Sequence, residues 1–305
     1  MTIMAYLPNF RWLDDKAQEL EAEPVDAPPI IRTVYIDNAE HLRLVKYCLW
    51  HTVQLNPGSR IILAIDKASV EFERWAKSLS PKVETFRPNG KRPRGGRMNL
   101  LMGQAIERIN GEPMVITSEQ DAVYCQALNS ALWALLERYG PKAAAVQTYS
   151  CQFNGRGCYP SASHNRRFRK TREWDGFAYE MNFVTFWTVA WRPEALRMVN
   201  WTKTRKHVGA DDQACQQMAV KGWRFFSTPH CRALHQPHSR ITNGAKYIPR
   251  EWAAPITSPK TKKQVAEYHA PRGRLIKELR NNPTDKRRAE IGRELRRIQE
   301  KIYAR

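Results

Sequence analysis

Acidic side chains follow two apolar segments of the chain, at the points where those segments end. Asp66 closes the run RIILAI, and Glu119 and Asp121 follow the run MVIT with one residue between them. In an open α/β sheet, ligands bind beyond the carboxyl ends of the strands. Two carboxylates at this spacing can hold a hard divalent cation, Mg²⁺ or Mn²⁺, and that ion can bridge a diphosphate. The spacing indicates a metal site, although Asp66 and Asp121 are also suited to cap the helices that follow them.

Strands that alternate with amphipathic helices must position these acids. Short apolar runs rich in β-branched residues predict buried strands, at 30–36, 60–65, 83–86, 114–117, 143–149, 183–191 and 223–227. Apolar residues at helical spacing predict helices, at 38–53, 69–79, 98–109, 128–139 and 211–221, with another that begins at Pro193. This alternation is typical of an α/β fold whose sheet is mostly parallel and carries helices on both faces.

The chain is strongly basic, with a formal net charge of +20. Such a field attracts polyanions: nucleic acid, an anionic membrane surface or an acidic polysaccharide. Hydrophobic residues make up 42% of the 305 residues, which is enough for a core and excludes global disorder. No apolar run reaches the roughly 20 residues that span a bilayer, and the opening residues lack the pattern of a signal peptide. We therefore expect a cytoplasmic protein without a transmembrane segment.

The six cysteines show no CxxC spacing. In a chain long enough to fold without covalent links, this pattern predicts reduced thiols in ordinary packing positions. A zinc site formed by Cys151, Cys158 and His164 is the alternative.

One segment around the acidic triplet resembles a known family. The stretch NLLMGQAIERINGEPMVITSEQDAVY (99–124) is similar to the part of GT-A glycosyltransferases, family-2-like, that precedes and contains the DxD motif. Glu119 stands where the family usually has the first Asp, and Asp121 matches the second. The family's helix and its Gly-acid pair are matched by four residues: Asn99, Ala105, Gly111 and Glu112.

A second segment extends the resemblance. The stretch GADDQACQQMAVKGWRFFSTPHCRALH (209–235) is similar to the family's acidic pair, amphipathic helix, Gly-aromatic pair and final strand closed by a histidine. The resemblance implies that Asp211 or Asp212 is the general base for the acceptor hydroxyl, and the spacing to Gly222 favours Asp211. It implies a histidine that completes the metal shell, and the candidates in order are His235, His230 and His238.

The two segments together imply a GT-A-like, Rossmann-type fold and a division of the chain. A catalytic domain spans 30–249, with a nucleotide-sugar half at about 30–125 and an acceptor half at about 126–249. An N-terminal arm (1–29) precedes this domain, and a basic linker and C-terminal helix (250–305) follow it.

The resemblance also implies a reaction and its site residues. The donor is a nucleotide-sugar, best a UDP-sugar, whose base contacts Asp66 and whose diphosphate contacts Arg97. The cofactor is Mn²⁺ or Mg²⁺, held by Glu119, Asp121 and His235. Because the resemblance is to inverting enzymes, inversion at the anomeric carbon is expected.

A basic and aromatic segment lies between the two matching stretches, where folds of this kind build the acceptor site. Its cations can follow phosphates and its aromatic ring can stack on an unpaired base: Arg166, Arg167, Arg169, Lys170, Arg172 and Trp174. A predicted helix at about 285–304 is also basic. These features favour DNA as the acceptor, and specifically a 5-hydroxymethylpyrimidine base, a modification typical of bacteriophages.

Two other functions fit the same residues. One is a cell-envelope or polysaccharide glycosyltransferase that docks on an anionic membrane surface through its positive charge. The other is a non-catalytic nucleic-acid-binding protein on an α/β scaffold, whose function would not depend on a metal or a nucleotide-sugar.

Overall fold

The computed structural model describes most of the first 235 residues and isolated residues beyond them. The described residues are 10–20, 25, 27–87, 97–151, 159–160, 174–201, 210–235, 275, 278, 284, 287, 290, 291 and 294, and side chains are described for all of these except 97–100, 159–160 and 210. The chain divides into two compact units, Met1–Ala253 and Ala254–Arg305.

Within the described residues, ten strands form one sheet. They are β1 (Ile30–Tyr35), β2 (Ile61–Lys67), β3 (Val83–Phe86), β4 (Val115–Ser118), β5 (Ala122–Val123), β6 (Ala143–Cys151), β7 (Tyr159–Pro160), β8 (Tyr179–Met181), β9 (Thr188–Trp191) and β10 (Arg224–His235). The α-helices are α1 (Asp15–Gln18), α2 (Ala39–Leu55), α3 (Val70–Ser78), α4 (Arg97–Ile106), α5 (Asn129–Arg138), α6 (Pro193–Arg197) and α7 (Ala210–Ala219).

The first half of the sheet is parallel, in the order β3-β2-β1-β4. Helices connect these strands. The side chain of Asn38 caps α2 by accepting a hydrogen bond from the His41 N–H, and the side chain of Ser69 caps α3 by accepting one from the Phe72 N–H. The carboxyl ends of β1, β2 and β4 therefore meet at one edge of the sheet.

The second half of the sheet mixes directions. β9 lies antiparallel between β4 and β6, β6 pairs in parallel with β10, and β5, β7 and β8 add short antiparallel pairs. The α/β class and the mostly parallel sheet flanked by helices, predicted from the alternating pattern, are confirmed.

Helices cover both faces of the sheet. Alternate residues of β2 point to opposite sides, so that Ile61 and Leu63 pack with α2, α3 and α5, while Ile62 packs with α4, α6 and α7. A fully buried aliphatic side chain of this kind contributes about 1.5–3 kcal/mol. These two apolar layers hold the strand ends in place.

Two predicted strands differ from the observed strands by more than two residues at one end. The run 183–191 forms a strand only at Thr188–Trp191. The last core strand, predicted at 223–227, continues to His235. Between Thr228 and Arg232 its register against β6 shifts, and the chain then resumes pairing with β6 and adds β5 on its other side. Pairing with distant partners thus extends β10 beyond its apolar run.

The N-terminal arm is fastened to β10 at this register shift. The Asp14 N–H donates to the His230 carbonyl over 3.1 Å, and the Arg232 N–H donates to the Trp12 carbonyl over 2.8 Å. The Asp14 carboxylate also caps α1 and contacts His230 Nδ1 at 2.9 Å. These bonds fix the part of β10 that precedes His235.

The cysteines differ in part from the prediction of reduced thiols. Cys48, Cys125, Cys215 and Cys231 are free and buried, as predicted. Cys151 is disulfide-bonded, so the prediction is wrong for this residue. Cys151 cannot then supply a thiolate to a zinc ion, which excludes the alternative of a zinc site at Cys151, Cys158 and His164.

In the C-terminal unit, the described residues Arg287, Glu290, Ile291 and Glu294 are helical. Arg287 contacts Glu278, Glu290 and Glu294, so the two glutamates four residues apart share one cation.

Candidate metal centre

Two carboxylates and an imidazole converge at the carboxyl edge of the parallel strands. Ligand atoms of Glu119, Asp121 and His235 all lie within 4.8 Å of one another. His235 Nε2 is 3.3 Å from Asp121 Oδ1. Asp121 and His235 are buried, and Glu119 is partly exposed. Three donor atoms this close can contact a single divalent ion, and the partly exposed side leaves room for a substrate oxygen.

Strand pairing explains why these three residues meet. β4 ends at Ser118, and the chain turns so that the Ala122 N–H donates to the Glu119 carbonyl over 3.1 Å. β5 begins at once with Ala122 and pairs antiparallel with the end of β10, where Ala122 faces His235. That register places His235 beside Asp121, the residue that precedes Ala122.

Trp187 supports two members of the cluster. Its carbonyl accepts a hydrogen bond from the Glu119 N–H over 2.8 Å. Its ring centroid lies 4.1 Å from that of His235. The backbone of the turn and the plane of the imidazole are therefore held by the same residue, which immediately precedes β9.

A buried arginine lies behind the turn. Arg32, in the middle of β1, is 1% exposed. Its Nη2 donates to the Glu119 carbonyl over 2.7 Å and to the Ala122 carbonyl over 2.6 Å. Burial lowers the pKa of Arg32 to about 10, against the attraction of Cys48 and Asp121. Arg32 therefore remains a cation at neutral pH, close enough to the Asp121 carboxylate to attract it.

The electrostatics of the cluster favour a bound cation. Burial raises the pKa of Glu119 well above its ordinary value, and the negative charges of Asp121 and Asp211 raise it further. A divalent ion would reverse this effect because it stabilises the ionised carboxylate.

The donor set fits a divalent metal ion. Within the part of the chain that the structure describes, neither ring nitrogen of His235 makes a hydrogen bond, although both are buried. The 3.3 Å contact with Asp121 falls short of hydrogen-bond geometry. A buried imidazole nitrogen without a hydrogen bond is costly unless it is a ligand. Two carboxylates with one imidazole suit Mn²⁺ or another first-row ion.

The predicted catalytic acids lie at the first turn of α7. Asp211 is partly buried, and burial raises its pKa, as does the charge of Asp212. Its charge also acts on Glu119, so it lies on the side of α7 that faces the cluster. Asp212 Oδ1 instead accepts a hydrogen bond from Gln216 Nε2 over 3.1 Å on the exposed side. The two neighbouring acids thus have different surroundings.

Of the two residues predicted to contact the donor, Asp66 and Arg97, the structure describes the side chain of Asp66 alone. Asp66 is 5% exposed, near the carboxyl end of β2 and at the same sheet edge as Glu119. Arg97 begins α4, but its side chain is outside the described residues.

Of the predicted nucleic-acid-binding residues, only Trp174 lies in a described segment; Arg166, Arg167, Arg169, Lys170 and Arg172 lie outside it. Trp174 is 46% exposed, and its ring lies 4.4 Å from that of Tyr179.

His230, an alternative metal candidate, contacts the Asp14 carboxylate and the Gly176 carbonyl. It is not part of the cluster, and His238 lies outside the described residues.

Two residues beside the cluster, Arg32 and Trp187, were not predicted from the sequence. Arg32 is the one charged residue of β1, and a charged residue in a buried strand is a usable signal because arginine is almost never fully buried without partners. Trp187 carried no such signal, because its position in a run of aromatic and β-branched residues is typical of any buried strand.

Comparison with known proteins gives likenesses of structure only. No protein-family model matches the chain, and no curated protein matches it in sequence. A crystal structure of GalNAc-T7 with UDP, GalNAc and Mn²⁺ is 12% identical with a TM-score of 0.48, and the match covers 69% of this chain and 43% of that one. The chain thus spans less than half of the length of GalNAc-T7.

Two further solved structures are similar to this chain. The mannosyltransferase PcManGT from Pyrobaculum calidifontis, in complex with GDP-Man and Mn²⁺, is 13% identical with a TM-score of 0.44, over 94% of this chain and 75% of that one. A mycobacterial protein is 11% identical with a TM-score of 0.45, over 79% of this chain and 83% of that one.

Among the residues that the structure describes, no helix is both long and apolar enough to cross a bilayer.

Proposed function

We propose that this protein is a metal-dependent glycosyltransferase of the GT-A type that moves a sugar from a nucleotide-sugar to a hydroxyl acceptor. The observation that carries the proposal is the convergence of Glu119, Asp121 and His235 at the carboxyl edge of the parallel strands. An acidic pair with a histidine at that edge suits an ion that contacts a diphosphate.

Each residue has a distinct role in the proposed reaction. Glu119, Asp121 and His235 hold the ion, and when bound the ion neutralises the negative charge of the leaving nucleoside diphosphate. Asp66 contacts the base of the nucleotide, for which UDP is the proposed carrier, and Arg97 contacts the diphosphate. These contacts orient the anomeric carbon toward the acceptor.

Asp211 is the proposed general base. It removes the proton from the acceptor hydroxyl, whose oxygen then forms the new bond to the anomeric carbon as the bond to the diphosphate breaks. Its raised pKa makes it a stronger base than an ordinary carboxylate, and the effect of its charge on Glu119 supports a position beside the cluster. We propose inversion, because a single attack from the side opposite the leaving group inverts the anomeric carbon.

The proposed acceptor is a 5-hydroxymethylpyrimidine base in DNA. The net charge of +20 supports a polyanionic acceptor. The exposed ring of Trp174, which follows the basic residues 166–172, supports stacking on a base. We place such an enzyme in the cytoplasm, as for a bacteriophage protein that acts on DNA inside its host.

Two measurements test this function. A thermal-shift panel of nucleotide-sugars with and without Mn²⁺ reports donor binding, because a ligand of the native state raises the apparent stability. Labelled UDP-glucose with Mn²⁺ and either hydroxymethylated or plain DNA reports transfer, which we expect only for the former.

A donor-induced shift without transfer to DNA would keep the glycosyltransferase and replace the acceptor by a cell-envelope or polysaccharide hydroxyl. Flotation with anionic vesicles across a salt series then tests membrane docking. If no nucleotide-sugar and no metal produced a shift while DNA was bound, the protein would be a non-catalytic nucleic-acid-binding protein.

A further inference from the structure

We propose that Arg32 is a positioning residue that holds the turn from Glu119 to Ala122 in the shape that binds the metal ion. The inference rests on the proposed function, since it concerns the same cluster. Arg32 lies on β1 and reaches the turn between β4 and β5 from behind, whereas the three proposed ligands come from that turn and from β10.

The hydrogen bonds of Arg32 define the geometry of the turn. One nitrogen, Nη2, donates to the carbonyls of Glu119 and Ala122, the first and last residues of the turn, over 2.7 and 2.6 Å. The other, Nη1, donates to Thr52 Oγ1 over 2.5 Å, which anchors the guanidinium to α2. Because the guanidinium is planar and rigid, both ends of the turn are fixed relative to a helix of the core.

A purely structural role explains this arrangement less well. Burying an arginine costs several kcal/mol unless its partners compensate, and an apolar residue would fill the middle of β1 at a lower free-energy cost. Three other residues of β1, Ile30, Ile31 and Val34, are apolar and fully buried. The chain instead places a cation next to Asp121, whose negative charge it attracts.

The positive charge of Arg32 also acts before the metal ion binds. Ligand atoms of Glu119 and Asp121 lie within 4.8 Å of each other, so two ionised carboxylates at this turn repel each other. The fixed positive charge of Arg32 attracts Asp121, while its hydrogen bonds to the backbone carbonyls hold the turn itself. The carboxylates of a prearranged turn need not reorganise when they bind an ion.

The test measures Mn²⁺ affinity from the electron paramagnetic resonance signal of free Mn²⁺. Arg32→Met keeps much of the side-chain length and removes all three hydrogen bonds, and we expect affinity to fall about 10–100-fold, as for other residues that orient metal ligands. Arg32→Lys keeps the charge and part of the bonding, so we expect an intermediate loss that excess Mn²⁺ overcomes in both donor-binding and transfer assays. Thr52→Val is the comparison variant: it removes the anchor of Arg32 to α2 and leaves both bonds to the turn, so we expect a smaller loss of affinity than in Arg32→Met.

The outcomes separate the two proposals. Wild-type protein without Mn²⁺ affinity would overturn the proposed function and this inference together. Wild-type affinity in Arg32→Met, or in Arg32→Lys should the methionine variant not fold, would overturn the role of Arg32 alone. An equal loss of affinity in Thr52→Val would also contradict it, because the effect would then come from general damage to the core, which melting temperatures in EDTA report independently.

Discussion

The two halves of the sheet contribute to the candidate site in different ways. The parallel half, β1 to β4, brings Asp66, Glu119 and Asp121 to one edge simply because each lies at the end of a strand or just beyond it. The mixed half brings His235 to the same edge through antiparallel pairing with β5, after a register shift in β10. Local rules thus place the acids, whereas long-range pairing places the histidine. Changes in the N-terminal arm or in β10 should therefore displace His235 more than they displace the acids of the first half.

The largest expected effect is a difference in kcat between variants of two adjacent acids, Asp211 and Asp212. Asp211→Asn should lower kcat by about 10²–10⁴-fold, the usual contribution of a general base. Asp212→Asn should change kcat much less, because Asp212 bonds to Gln216 on the exposed side of α7. Initial rates at saturating donor and Mn²⁺ measure both. Equal losses in the two variants would contradict the assignment of the base.

The next largest effect is a difference in Mn²⁺ affinity between variants of two histidines of β10, His235 and His230. His235→Gln should weaken Mn²⁺ binding by at least about 10–100-fold, because it removes a ligand and the loss of a group that only orients a ligand already costs that much. His230→Gln should leave Mn²⁺ affinity unchanged and lower only the melting temperature, because His230 contacts Asp14 and Gly176 rather than the cluster. Calorimetric titration with Mn²⁺ measures the affinities, and the reverse pattern would exchange their roles.

The pH dependence of metal stabilisation tests the acids of the first half. The pKa of Glu119 is raised in the folded protein, so the folded state keeps a proton that the unfolded state loses above the ordinary value of 4.5. Without metal, this group therefore destabilises the protein increasingly as the pH rises from 4.5 toward the raised pKa. Because Mn²⁺ displaces that proton, the increase in melting temperature on adding Mn²⁺ should grow over the same range. A shift that is constant with pH would contradict the prediction.

The smallest effect concerns the arm that fastens β10. Burial opposes ionisation of Asp14, but hydrogen bonds from His230 and Ala17 lower its pKa below 3.8 overall. Asp14 thus stabilises the fold above that pH, and its contribution is lost as the pH falls through the lowered pKa. Asp14→Asn should lower the melting temperature at neutral pH by about 2–4 °C, which corresponds to about 1 kcal/mol. Asp15→Asn, at an exposed site next to it, is the control and should change little.

The same contrast explains how much could be predicted from the sequence. The strands and helices of the first half follow from apolar periodicity, and so does the placement of acids at strand ends. The sequence indicated His235 through a resemblance, but the pairing of Ala122 with His235 depends on a register that no local pattern specifies. Likewise, the segment before Thr188 was predicted as strand from its composition, yet there it forms the bend that presents Trp187 to the cluster.

Arg32 shows a different reason for failure. The run 30–36 was predicted as an apolar strand, and the strand itself is confirmed. The partners of the guanidinium are backbone carbonyls of a turn far away in sequence, and backbone atoms leave no trace in residue types. The role of such a residue can be inferred only from the folded chain.

The most direct test of the proposed metal centre is a crystal grown with MnCl₂ and UDP, with data collected at the manganese absorption edge. We predict an anomalous peak about 2.0–2.3 Å from Asp121 and His235 ligand atoms, with Glu119 facing the same ion and the diphosphate on its open side. An ordered nucleotide with no manganese between Asp121 and His235, or a manganese ion bound elsewhere, would contradict the account.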